Sequence, residues 1–175
     1  MSRLDHLWAG WRQAYLDGTG EDGRLAGALD IPEGGSLFSA VEQSGLPDEE
    51  SFVLHRGATA FAMLNIYPYT SGHAMVMPKR SVGSLADLTD DEHAELWSMV
   101  RDAVAAIEAA YLPGGVNVGL NQGRAAGAGI PEHLHVHCVP RWTGDTNFMT
   151  ATAGVRVLPE VLAESWSKLR EHWPA

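Results

Sequence analysis

The chain has 175 residues, one domain's worth, with 45% hydrophobic and 19% charged residues, enough to bury a substantial core. Acidic residues outnumber Lys plus Arg by 22 to 12, and the formal charge of −10 repels phosphate backbones, which argues against a nucleic-acid partner while leaving room for a small phosphorylated ligand at a locally favourable site. A single cysteine, Cys138, excludes a disulfide framework within the chain and suits a reducing cytoplasm. The N-terminal segment carries charges and no unbroken apolar run, so neither a signal peptide nor a membrane span is expected.

In chain order, Leu4, Leu7, Trp8, Trp11 and Tyr15 recur at steps of three and four, predicting a short amphipathic helix. Residues 17–35 are rich in Gly and Asp and read as a loop or flexible arm. The run 51–68 predicts two strands around a turn near Arg56-Gly57, and "GHAMVMPK" a third strand ended by Pro78. Thr89-Asp90-Asp91-Glu92 has the form of a capping box. It opens a long helix whose apolar stripe is Leu96, Trp97, Val100, Ala103, Val104, Ile107 and Tyr111, ended by Pro113-Gly114-Gly115. "VNVGLN" predicts a fourth strand and "HLHVHCVP" a fifth, with the Gly-rich loop "QGRAAGAGIPE" between them. A last helix over about 159–172 presents Val161, Leu162, Ser165, Trp166 and Leu169. With no internal repeat and no second composition regime, residues 1–175 are expected to form a single α+β domain: a mostly antiparallel five-stranded sheet with one long helix and a C-terminal helix.

Three of the eight histidines, His133, His135 and His137, stand at alternate positions. On a strand they share one face, while Leu134, Val136 and Cys138 take the other, buried face. The histidine face then looks onto a cleft, a partner or solvent. Such a face admits three readings: a polar strand surface, three ligands of a zinc site with an open position, or an imidazole nucleophile whose second ring nitrogen is held by an acceptor. The loop directly before the strand favours the third. Gly123, Gly127 and Gly129 let backbone N–H groups approach an anion closely, so the loop looks like a phosphate cradle. An imidazole nucleophile beside such a cradle suggests attack on phosphorus.

"HLHVHCV" resembles the histidine-triad motif of the HIT superfamily of nucleotidyl hydrolases and transferases. The likeness extends through "SLFSAVEQSGLPDEE", "LNIYPYTSGHAMVMPKR", "LTDDEHAEL", "VNVGLNQG" and "GDTNFM" in the same order, and it looks nearest to the bacterial branch with diadenosine tetraphosphate phosphorylase-like members. The resemblance implies a HIT-like fold, His135 as the nucleophile at a nucleoside α-phosphate, and His133 and His137 as its flanking partners. It implies that His73 contacts phosphate or leaving group, that Asn121 lies beside the phosphate, that Asn65 binds ribose, and that Phe38, Leu37 and Ile66 line the base pocket. It also implies a homodimer with an isologous interface, a purine nucleotide or dinucleoside polyphosphate as substrate, and no cofactor.

The sequence departs from that pattern in two places. Ser36, Ser39 and Ser81 stand where many bacterial members have the Cys, Cys and His of a structural zinc, and serine hydroxyls are poor zinc ligands, so no metal is expected. Gly129 stands where hydrolases often have Gln and some phosphorylases Ser, which leaves water or inorganic phosphate as acceptor. Glu132, directly before the triad, either orients that acceptor or is simply solvated. Trp142, Lys79, Arg80 and Cys138 read by default as packing, surface charges and a buried small hydrophobe. The expected activity is cleavage of a phosphoanhydride through a nucleotidyl-histidine. Its rivals are a nucleoside phosphoramidate or aminoacyl-adenylate hydrolase and, outside enzymes, a nucleotide-binding regulatory protein.

Overall fold

The computed structural model describes residues 29–145 and 160–174. The expected helix over 4–15 and most of the 17–35 segment lie outside them; the described part of that segment, 29–35, is a bend and a turn closed by Gly35 N–H to the Pro32 carbonyl at 2.9 Å.

Two short helices follow, α1 (Leu37–Gln43) and α2 (Asp48–Ser51), then strands β1 (Val53–Arg56), β2 (Ala60–Leu64) and β3 (Ala74–Pro78). A single 3-10 turn (Leu85–Asp87) leads to the long helix α3 (Asp90–Tyr111). Strand β4 (Gly115–Leu120), a 3-10 turn at Arg124–Ala126, strand β5 (Val136–Arg141) and helix α4 (Leu162–Glu171) follow among the described residues. The five strands form one sheet in the order β1-β2-β3-β5-β4, with every neighbouring pair antiparallel, as the composition and periodicity predict.

The sheet is covered on both faces. Ala60, Ala62 and Leu64 of β2, Ala74 and Val76 of β3, and Val136 and Cys138 of β5 point to one side, against Leu96, Val100, Ala103 and Ile107 of α3 and Leu169 of α4. The alternate residues Phe61, Met63, Met75 and Met77 point to the other side, against Phe38 and Val41 of α1. Central strands covered twice need apolar residues at every position, which is why β2 reads AFAML and β3 AMVMP. Burial of the Cys138 side chain pushes its thiol up to about 12, so it serves as a small hydrophobe.

Local signals place the long helix. Thr89 Oγ accepts the Glu92 N–H and the Glu92 carboxylate accepts the Thr89 N–H, the reciprocal capping box expected from sequence. Its buried stripe is Leu96, Met99, Val100, Ala103, Ala106 and Ile107. Trp97, placed in the stripe by its sequence spacing, is instead 39% exposed: at 100° per residue it lies off the axis that Leu96, Val100 and Ala103 define. The helix ends on Leu112, not on a glycine, in the left-handed conformation at φ 46°. The C-terminal helix starts at Leu162, and its expected face divides: Ser165 and Leu169 are buried while Val161 is exposed. Trp166 Nε1 and Arg170 Nη1 donate to the carbonyls of Val53 and Leu54, so α4 covers the outer edge of β1.

The fifth strand is shorter than its sequence suggests. Its ladder with β3 stops at the Val76–Val136 pair, so His133, Leu134 and His135 lie before the strand. The reason is local: the His133 carbonyl turns to the His135 ring, and the Leu134 N–H goes to the Val82 carbonyl at 2.7 Å. The three histidines therefore do not form one flat face. His133 is 1% and His135 6% exposed, because Phe38 of α1 packs against both rings, and it is His135 and His137 that face a cleft. Among the described residues, no helix is long and apolar enough to cross a membrane.

Candidate active site

The site lies where α1, the loop between β2 and β3, the Gly-rich loop and the start of β5 converge. Hydrogen bonds fix the tautomer of each imidazole. His133 Nε2 faces the Pro78 carbonyl at 2.7 Å, and a carbonyl only accepts, so the ring proton sits on Nε2. Its Nδ1 lies 2.6 Å from Ser36 Oγ. That hydroxyl already accepts the N–H groups of Phe38 and Ser39 as the cap of α1, so its own proton points to His133 Nδ1. Burial holds the His133 pKa below the ordinary histidine value, which keeps this ring neutral.

His135 Nδ1 lies 2.8 Å from the His133 carbonyl and must donate to it. The Nε2 lone pair is thereby left for the cleft. Burial lowers the His135 pKa as well, so the lone pair is not taken by a proton at neutral pH. His137 is set from the other side. The Tyr69 N–H donates to His73 Nδ1 at 3.0 Å, which puts the His73 proton on Nε2. That nitrogen lies 3.0 Å from His137 Nδ1 and donates to it, so His137 carries its own proton on Nε2. The His135 and His137 ring centroids are 5.0 Å apart and nearly perpendicular. A bare nitrogen and an N–H thus stand side by side, suited to attack one atom and donate a hydrogen bond to its neighbour.

The open cleft at these rings is lined by Phe38, Asn65, Tyr67, Tyr69, Met75, Asn121, Gly127, Gly129, His135 and His137. Seven residues expected from sequence are brought together there: His135, His137, Phe38, Asn65, Asn121, Gly127 and Gly129. His133 and His73 stand behind the lining, each bonded to a ring or backbone group of the triad. Leu37, Ile66 and Glu132 do not line the cleft. Leu37 precedes Phe38 on α1 and so points away from it, Ile66 sits half-buried in the bend after β2, and the Glu132 side chain is exposed. Asn65 also has a local task, since its Oδ1 accepts the Tyr67 N–H at 2.9 Å and shapes the β2–β3 loop.

Tyr67, Tyr69 and Met75 line the cleft without having been singled out from sequence. Met75 was legible in part: it pairs with His137 across β3 and β5, and its parity is that of the histidine face. The tyrosines carry no such signal, because their direction depends on a loop turn. Trp142 packs against Tyr111, and Lys79 and Arg80 pair with Glu42 and Glu92 at the surface.

The three serines do not fit a zinc ion. Ser36 and Ser39 form the capping box of α1, with the Ser36 hydroxyl also engaged by His133, and Ser81 Oγ donates to the Glu132 carbonyl at 3.0 Å. Neutral hydroxyls already committed in this way offer neither the charge nor the softness of the thiolates that hold zinc.

A HIT domain matches residues 47–144, from the residue before α2 to just past β5. This chain belongs to the HIT domain family. Over 173 residues it is 42% identical to a protein of Mycobacterium tuberculosis named AP-4-A phosphorylase, a match spanning 98% of this chain and 85% of that one. A Schizosaccharomyces pombe protein named bis(5'-nucleosyl)-tetraphosphatase [asymmetrical] is 37% identical over 95 residues, 54% of this chain and 52% of that one. Among solved structures, a zinc-bound histidine triad family protein from Mycobacterium smegmatis superposes with a TM-score of 0.63 at 27% identity, covering 78% of this chain and 91% of that chain.

Proposed function

We propose that this protein cleaves diadenosine tetraphosphate, or a close dinucleoside polyphosphate, by two displacements at an α-phosphorus. In the first, His135 Nε2 forms a P–N bond while the P–O bond to the leaving nucleoside triphosphate breaks, the triphosphate departing as the anion, and the His137 Nε2–H donates a hydrogen bond to the departing oxygen. In the second, an oxyanion of inorganic phosphate, or a water that gives its proton to solvent, attacks the same phosphorus and the P–N bond breaks, returning the lone pair to His135. The Gly129 N–H and the Asn121 amide are assigned as donors to the transferring group's oxygens; the Gly127 N–H, expected from sequence to face the anion, is instead taken by the Arg124 carbonyl at 2.9 Å. Asn65 and Phe38 are assigned to the nucleoside, and His133 and His73 hold the two working rings in their tautomers. The observation that carries this reading is the His135 Nδ1–His133 carbonyl bond, which leaves a neutral ring with one bare nitrogen in the cleft.

The AP-4-A phosphorylase likeness favours inorganic phosphate as acceptor, giving ADP and ATP; water would give AMP and ATP. Products measured with and without phosphate test this. ADP release that rises with phosphate supports phosphorolysis. Absence of any diadenosine tetraphosphate cleavage, with turnover of AMP–amine conjugates, would replace it by phosphoramidate hydrolysis.

The reading extends to a homodimer joined along β4 across a two-fold axis. With β1 covered by α4, β4 is the other outer strand of the sheet, and its Val118 is 43% exposed. We place the enzyme in the cytoplasm, where a lone cysteine stays reduced.

A further inference from the structure

The cleft has no Lys or Arg among its lining residues, and burial keeps His133 and His135 neutral. A tetraphosphate bridge would bring several negative charges to a protein of formal charge −10. Backbone amides and neutral imidazoles suffice for the phosphate under attack, but the phosphates beyond it need a cation.

Among the described residues, one cationic head group is uncommitted. Arg56, Lys79, Arg80, Arg101, Arg141 and Lys168 pair with carboxylates, and Arg170 donates to the Leu54 carbonyl. Arg124 is exposed and makes no such bond. It opens the 3-10 turn of the Gly-rich loop, and its carbonyl accepts the N–H of Gly127, a lining residue, at 2.9 Å. The loop is held at both ends of that turn: Gln122 Oε1 accepts the Leu85 N–H at 3.0 Å, and buried Ala128 bonds the Gly123 carbonyl. Arg124 is therefore carried by a fixed turn that adjoins the cleft lining at Gly127.

We infer that Arg124 selects polyphosphate-bridged substrates by binding the phosphates beyond the one His135 attacks. This rests on the proposed nucleotidyl transfer for its direction, but it is read by binding and does not need turnover. Arg124 presents a planar fork of donors that matches two phosphate oxygens, and its partner arrives with the leaving group. AMP or an AMP–amine lacks those phosphates and gains nothing from it.

The test is the ratio of ATP to AMP affinity, measured by calorimetry in EDTA on the full chain and on Arg124→Ala and Arg124→Lys. Arg124→Ala should lower the ratio about tenfold, the low end of what a charge-assisted hydrogen bond contributes. AMP affinity should stay within about twofold, Arg124→Lys should restore part of the loss, and the effect should shrink as salt is raised. In steady state, Arg124→Ala should raise KM for diadenosine tetraphosphate far more than for an AMP–amine. An unchanged ratio, or equal losses for AMP and ATP, would overturn the inference. Failure of the wild type to cleave diadenosine tetraphosphate while the ratio still falls would overturn the proposed substrate and leave the Arg124 assignment standing.

Discussion

The Ser36 hydroxyl reaches His133 Nδ1 across 2.6 Å, so the residue that caps α1 also holds the first histidine of the triad. His133 in turn offers its carbonyl to the His135 ring at 2.8 Å. A helix cap, a buried imidazole and the proposed nucleophile thus form one chain of hydrogen bonds.

Ser36→Ala should therefore cost more than a cap. It removes the acceptor of two α1 N–H groups and leaves His133 Nδ1 buried without a donor. Together these should destabilise the fold by about 2 kcal/mol, read from urea unfolding at pH 7.5. Ser36→Thr keeps the hydroxyl and should recover most of the loss. A loss below about 0.5 kcal/mol for the alanine variant would mean that the bond carries little.

The depressed histidine pKa values set the acid side of the pH response. An unfolded histidine takes up a proton as pH falls below about 6.5, whereas buried His133 and His135 do not until lower pH. The unfolded state then binds more protons, so stability falls with pH from about 6.5 downward, with no contribution above that value. Wild type should lose stability relative to His133→Asn between about pH 7 and pH 5. The acid limb of kcat/KM should likewise lie below about pH 6.5. A limb above pH 7 would contradict a neutral, buried His135.

Glu92 offers a second titration with the opposite chemistry. Its hydrogen bond to Arg80, aided by the capping bond to Thr89, lowers its carboxyl from 4.5 to about 2. The charged form is favoured by folding, so its stabilisation is present above about pH 4.5 and is lost as pH falls towards 2. Glu92→Gln should cost about 1 kcal/mol at pH 7, and the gap to wild type should close as pH falls below 4.5. A gap that is constant with pH would show that Glu92 acts through shape alone.

Much of the fold was legible because its signals are local. Thr89 and Glu92 are three residues apart, and the alternation of β2 and β3 lies within each strand. Helix α1 was not legible, since it spans only seven residues and its capping box uses Ser39 where Glu or Gln is usual. That omission hid the burial of His133 and His135, which depends on Phe38 packing at 5.5 and 5.1 Å from residues almost a hundred positions away. The membership of His135 and His137 in the cleft followed from the motif and its resemblance. The triad's tautomers did not, because they are set by Pro78, Ser36 and Tyr69, partners that only the folded chain brings within reach.

The most direct measurement is intact mass of the protein acid- or base-quenched during turnover of diadenosine tetraphosphate, followed by peptide mapping. The expected result is one adenylyl group per chain, base-stable and acid-labile as a phosphoramidate should be, mapped to His135 and absent from His135→Ala, which still binds AMP within a few-fold of wild type. Turnover without any such adduct in the base-quenched sample, together with near-normal activity of His135→Ala, would contradict it.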